Sequence, residues 1–103
     1  MKHLLMRVEG RFFNEDFVRE VFYDALKEAG ATVVRRFEHK FDPQGLTLVA
    51  ILAESHAIIS TWPEENYALV DYFSCAEEPG IDDFTDVWFE SGFALKTMEV
   101  MER

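Results

Sequence analysis

At 103 residues, with 49% hydrophobic and 15% aromatic content, the chain is long enough for one packed domain and too apolar to be disordered. Its formal net charge of −10, from 20 acidic against 10 basic residues, repels nucleic acid backbones and anionic membrane surfaces, so neither is expected as a partner. There is no apolar run of about 18 residues and no basic-then-apolar leader, so neither a membrane span nor a secretory signal is expected. The single cysteine, Cys75, has no internal disulfide partner, which suits a cytoplasmic protein. A domain this small and this apolar gains from covering a face with a second copy, so a homodimer is expected.

His3 to Glu9 reads as a strand. Asn14 then precedes Phe17, Val18, Val21, Phe22, Ala25, Leu26 and Ala29, which fall on one stripe of a helix capped by Asn14 and ended by Gly30. Thr32 to Phe41 is rich in strand formers, and Asp42-Pro43-Gln44-Gly45 is a reversal, with Pro second and Gly fourth. Leu46 to Ala53 is a nearly continuous apolar run of central-strand length. Ala57 to Trp62 and Tyr67 to Cys75 are further strands, parted by Pro63-Glu64-Glu65-Asn66. Asp82 or Asp83 opens a second helix carrying Phe84, Val87 and Trp88 and closing near Gly92, and Phe93 to Val100 is a last strand. Four successive strands with short reversals predict an antiparallel sheet. With two amphipathic helices on one face, the fold class is α+β, a two-layer sandwich spanning residues 1–103 as one domain.

The chemistry-bearing candidates are Ser55, His56, Cys75, His39, Ser60, Thr47, Glu54 and Glu64. No Cys/His zinc spacing, Gly-rich phosphate loop or paired-carboxylate motif is present, so no metal is expected. Neighbours on a strand point to opposite faces, so the His56 imidazole is not expected to face the Ser55 hydroxyl. From spacing alone each of these residues reads as structural.

The run from Phe41 to Cys75 nonetheless resembles the small prokaryotic type of S-adenosylmethionine decarboxylase. The pieces that carry the resemblance are Phe41-Asp42-Pro43-Gln44-Gly45, Leu52-Ala53-Glu54-Ser55-His56, Thr61-Trp62-Pro63-Glu64, and Tyr67 through Cys75. Weaker echoes are His3-Leu4-Leu5 and Glu28-Ala29-Gly30-Ala31-Thr32. The resemblance implies a cofactor made from the chain itself. Ser55 attacks the carbonyl of Glu54, an ester forms, and elimination leaves fragments 1–54 and 55–103, the second beginning with a pyruvoyl group derived from Ser55. That carbonyl forms a Schiff base with the substrate amine and carries the electrons released by decarboxylation. The resemblance further assigns Cys75 as the proton donor to the product, Glu64 to the ribose hydroxyls, Phe41 to the adenine and Thr47 to processing. Trp62 and His39 remain packing or surface residues. The implied context is polyamine synthesis from decarboxylated S-adenosylmethionine.

One position departs from the family's pattern. A histidine that the family uses for proton abstraction during processing falls at Ser60, in Ser55-His56-Ala57-Ile58-Ile59-Ser60-Thr61. A serine hydroxyl is a very poor base near neutral pH. Three outcomes stay open: slow processing with water, His56 or His39 as substitute base; a stalled, inactive or regulatory precursor; or a pocket retuned for ornithine or arginine. Retention of Phe41 and Glu64 favours the nucleoside substrate.

Overall fold

A computed structural model describes residues 1–103. Six strands and two helices follow in the order β1 (Lys2–Glu9), α1 (Glu15–Glu28), β2 (Val33–Lys40), β3 (Leu46–Leu52), β4 (Ser55–Trp62), β5 (Tyr67–Ser74), α2 (Ile81–Glu90) and β6 (Ala94–Glu102). A 3₁₀ turn, Pro63–Glu65, joins β4 to β5 and ends at Asn66, whose left-handed backbone (φ 59°) is one this residue tolerates. All six strands form one antiparallel sheet in the order β2-β3-β4-β5-β1-β6, with both helices on one face. The α+β sandwich predicted from the element order is the fold observed. No helix is long and apolar enough to cross a membrane.

Alternation along the strands divides the sheet. Leu4, Met6 and Val8, with Leu46, Leu48, Ala50, Ala57, Ile59, Ala68, Val70 and Tyr72, point to the helices and are buried. Against them pack Val18, Val21, Phe22, Ala25 and Leu26 of α1 and Phe84 and Trp88 of α2. Asn14 caps α1 as expected, its side chain accepting from the Phe17 amide at 3.1 Å. Phe17 departs from the predicted stripe: it is exposed at the margin and stacks on Phe93. Phe93 itself precedes β6 and is buried beside Phe12 and Trp88.

The start of α2 also differs from expectation. Gly80, not an aspartate, is the N-cap, and Asp82 and Asp83 lie in the first helical turn, where the helix dipole favours acids. A Cβ at Gly80 would lie 2.4 Å from the Ala29 carbonyl oxygen, so the close approach of α2 to the end of α1 requires glycine.

The second sheet face carries Leu5, Ile58 and Leu69 around an open hollow of about 510 Å³, with Arg7, Asp71 and Glu99 among its lining. Leu69, Ile51 and Phe37 are exposed there. In β6, Thr97 is an extra residue between the Met6–Met98 and Arg7–Lys96 pairs, a bulge at φ 36° on the rim of this hollow.

Candidate active site

β3 and β4 form a hairpin closed by the two residues Ala53 and Glu54, with Leu52 opposite Ser55. Neither Ala53 nor Glu54 has a positive φ, so the connection is not the mirror-image turn usual for two-residue loops. β4 therefore starts at Ser55 rather than at Ala57, and Ser74 lies beside Ser55 on β5. Cys75 follows directly. Its backbone N–H donates to the Glu54 carbonyl at 3.0 Å and its thiol to the same oxygen at 2.9 Å. The carbonyl next to the Ser55 hydroxyl is thus held by two donors, an arrangement that stabilises negative charge developing on that oxygen. The thiol is exposed.

The expectation that His56 faces away from Ser55 is corrected. Ser55 Oγ lies 3.4 Å from His56 Nδ1; Ser55 is the first strand residue after the turn, and its φ of 157° departs from the usual strand backbone on which the alternation rule rests.

The remaining site residues gather at the other end of β4. Thr47 and Ser60 are cross-strand partners whose hydroxyls hydrogen-bond at 2.8 Å. With Phe41, Gln44, Gly45, Trp62 and Glu64 they enclose a hollow of about 340 Å³. Gln44 Nε2 donates to Glu64 Oε2 at 2.7 Å, which fixes the carboxylate at the rim. Phe41 is half exposed and meets the His39 ring edge-on at 4.6 Å. The loop that carries Phe41 closes through the Phe41 N–H to the Gly45 carbonyl at 2.8 Å, and its Asp42–Pro43 peptide is cis. Trp62 stacks on Tyr67 at 5.1 Å, with the Arg7 guanidinium over Tyr67 at 3.8 Å, and it also lines the hollow.

Within one chain the two groups stay apart. Ser55 and Ser60 are five residues apart on one strand, about 16 Å at strand rise. Glu54, Ser55 and Cys75 form one cluster; Phe41, Thr47, Ser60 and Glu64 form the other.

Sequence reasoning missed His3 and Asp71, which lead to His56 beside Ser55, and Arg103, which contacts His3. Alternation puts His3, His56 and Asp71 on one sheet face, yet their meeting depends on β1 lying beside β5, which the sequence does not reveal. Gln44 was also missed, though it lies in the turn singled out there. No group of three or more His, Cys, Asp or Glu side chains is placed to hold a metal ion.

Residues 5–102 match the family model described as S-adenosylmethionine decarboxylase. The S-adenosylmethionine decarboxylase proenzyme of Prochlorococcus marinus (strain MIT 9313) is 42% identical over 81 residues, covering 75% of this chain and 65% of the relative. That of Methanococcus aeolicus is 43% identical over 86 residues, covering 80% of this chain and 74% of the relative. The chain thus spans just under two thirds of the length of the Prochlorococcus protein and more of the Methanococcus one. The crystal structure of the adenosylmethionine decarboxylase from Aquifex aeolicus VF5 superposes with a TM-score of 0.83 at 28% identity, covering 99% of this chain and 88% of that one. A match across nearly the whole sequence, together with the shared overall fold, settles the kinship: this chain belongs to the S-adenosylmethionine decarboxylase family.

Proposed function

We propose that residues 1–103 act as one decarboxylase domain that makes a pyruvoyl group from Ser55 and uses it to decarboxylate S-adenosylmethionine. The observation that carries this reading is the Glu54 carbonyl, adjacent to the Ser55 hydroxyl and held by the N–H and thiol of Cys75 at 3.0 and 2.9 Å. Attack by Ser55 Oγ on that carbon places charge on an oxygen whose donors are already in position. The residues present therefore fit a group formed at position 55.

A pyruvoyl group at position 55 would supply the electron sink that decarboxylation of an amino acid needs. Cys75, with an exposed thiol beside position 55, returns the proton to the substrate α-carbon. Glu64, steadied by Gln44, accepts hydrogen bonds from the ribose hydroxyls. Phe41 offers its exposed ring to the adenine and to the cationic sulfonium. A hollow with an aromatic wall and a rim carboxylate supports a nucleoside substrate over ornithine or arginine, and the product then serves polyamine synthesis.

The separation of the two residue groups supports a homodimer as the working unit. Two copies packed through their open sheet faces about a two-fold axis, with strands antiparallel, lay the Ser55 end of one β4 on the Ser60 end of the other. Each site then draws Ser55 and Cys75 from one protomer and Phe41, Thr47 and Glu64 from its partner. A single thiol that must stay reduced to donate its proton suits the cytoplasm.

Ser60 supports a second reading, an uncut and inactive precursor, because the family's abstracting histidine is replaced by a hydroxyl. Intact mass distinguishes the two. Cleavage gives fragments 1–54 and 55–103, the latter with a blocked amino terminus, and Ser55→Ala prevents it. Release of labelled carbon dioxide from carboxyl-labelled S-adenosylmethionine, but not from ornithine or arginine, then establishes the substrate. A chain that stays intact after long incubation defeats the decarboxylase reading.

A further inference from the structure

Strands β1, β4 and β5 bring a connected row of side chains to Ser55. A guanidinium has donors only, so Arg103 Nη2 donates to His3 Nδ1 across 3.2 Å. His3 Nδ1 is therefore the accepting nitrogen and Nε2 bears the ring proton, which it donates to Asp71 Oδ1 at 2.6 Å. That same carboxylate oxygen lies 3.8 Å from His56 Nε2. His56 Nδ1, in turn, lies 3.4 Å from Ser55 Oγ. Phe73 packs against both imidazoles, at 5.2 and 5.6 Å between ring centres. A carboxylate on the Nε2 side favours the tautomer with its proton there, which leaves the Nδ1 lone pair toward the serine hydroxyl.

We propose that His56 is the base for the acyl shift at Ser55, with Asp71 setting its tautomer and His3 and Arg103 anchoring Asp71. The proposal rests on the processing reading above and names the group that serves the first step in a chain whose residue 60 is a hydroxyl. The Ser55 Oγ–H proton passes to His56 Nδ1 as Oγ bonds to the Glu54 carbonyl carbon. The carbon–nitrogen bond of the Glu54–Ser55 peptide then breaks, and His56 returns the proton to the departing nitrogen. An ester at Oγ and a free amine on residue 55 result, with no oxidant or co-reactant consumed. A separation of 3.4 Å is long for a hydrogen bond and short enough to close by a small rotation of either side chain, as such contacts do when the reacting geometry forms. Within its own chain Ser60 is placed otherwise: its hydroxyl is bonded to Thr47 at the far end of the strand.

Hydroxylamine cleaves an ester and spares an amide, so it separates a chain stalled before the acyl shift from one stalled after it. The expected result is that the native chain forms a hydroxylamine-sensitive bond between residues 54 and 55, read by intact mass. His56→Gln, checked for folding by circular dichroism, forms it about 100-fold more slowly or worse. Asp71→Asn slows the step by about 10-fold and removes the Nε2–H preference of His56 in imidazole ¹⁵N shifts. Asp71→Glu restores both, which a loss of mere packing would not allow. Ester formation at the native rate in folded His56→Gln overturns the proposal and leaves the processing reading standing. So does a slowing confined to His39→Gln, which moves the base to the neighbour of Thr47. A native chain that yields neither fragments nor a hydroxylamine-sensitive bond overturns both.

Discussion

Cys75 grips the carbonyl of Glu54 twice, through its amide at 3.0 Å and through its thiol at 2.9 Å. Cys75→Ala keeps the amide donor and removes the thiol. Cleavage at Glu54–Ser55 is expected to slow by about 100-fold, the usual effect of losing one donor to a developing oxyanion. Cys75→Ser keeps a hydroxyl donor and cuts faster than the alanine variant, yet once cut it decarboxylates poorly, since a hydroxyl is a far weaker acid than a thiol. Gel densitometry and carbon dioxide release measure the two steps separately.

Ser60→His adds an imidazole at the position where the family resemblance implies a proton-abstracting histidine. Processing is expected to quicken by about 100-fold or more, and any ester that accumulates in the native chain disappears. An unchanged rate means that residue 60 does not limit the reaction.

Glu64→Gln tests the hollow. The carboxylate loses its charge and its Gln44 contact becomes one of neutral amides. A KM rise of about 10-fold with kcat little altered, equivalent to about 1.4 kcal/mol of uniform binding, is expected from steady-state kinetics.

The proposed sharing of each site between two protomers makes a prediction about mixtures. Ser55→Ala and Glu64→Ala chains are each inactive or weak alone. Mixed after dissociation and reassembly, they regain activity, because one of the two sites in a hybrid dimer holds an intact Ser55 facing an intact Glu64. Leu69→Glu, a charge on the open sheet face, yields monomers in sedimentation velocity and abolishes turnover.

Tyr72 carries a pH dependence. Burial pushes its phenol above the ordinary value of 10.0; the Ser74 hydroxyl opposes the rise and the Glu54 charge adds to it. The unfolded chain loses this proton at lower pH than the folded one. Stability from the neutral phenol is therefore complete below pH 10.0 and declines as pH climbs through the folded value. Tyr72→Phe flattens that alkaline decline. It also leaves the Pro79 carbonyl without its 2.6 Å donor, at about 1–3 kcal/mol, seen as a lower urea midpoint near neutral pH.

The first helix was legible because Asn14, seven apolar positions of one stripe (all but Phe17 buried) and Gly30 agree with one another. The meander β2 to β5 was legible from its reversals. The start of α2 was not, since aspartates within a first turn look in sequence like a cap before it, and Gly80 is needed for a contact with Ala29 that only the tertiary structure creates. Glu54, Ser55, Cys75, Ser60, Thr47 and Glu64 stood out as reactive residue types and, with Phe41, took their roles from motif resemblance, while their grouping into two clusters was hidden. Which residues meet across a sheet depends on strand order, and β1 between β5 and β6 is a long-range choice. His3 and Asp71 escaped notice for that reason, and alternation, which holds for His56, did not show that Ser55, the first residue after the turn, lies within reach of it.

The strand order has one more consequence. Cutting at Glu54–Ser55 leaves β1, β2 and β3 on one fragment and β4, β5 and β6 on the other, but β1 is threaded between β5 and β6. Three of the five seams in the sheet, β3–β4, β5–β1 and β1–β6, then join different polypeptides. The severed pieces are interleaved like fingers of clasped hands. They migrate together through native purification and part only when the sheet itself is unfolded.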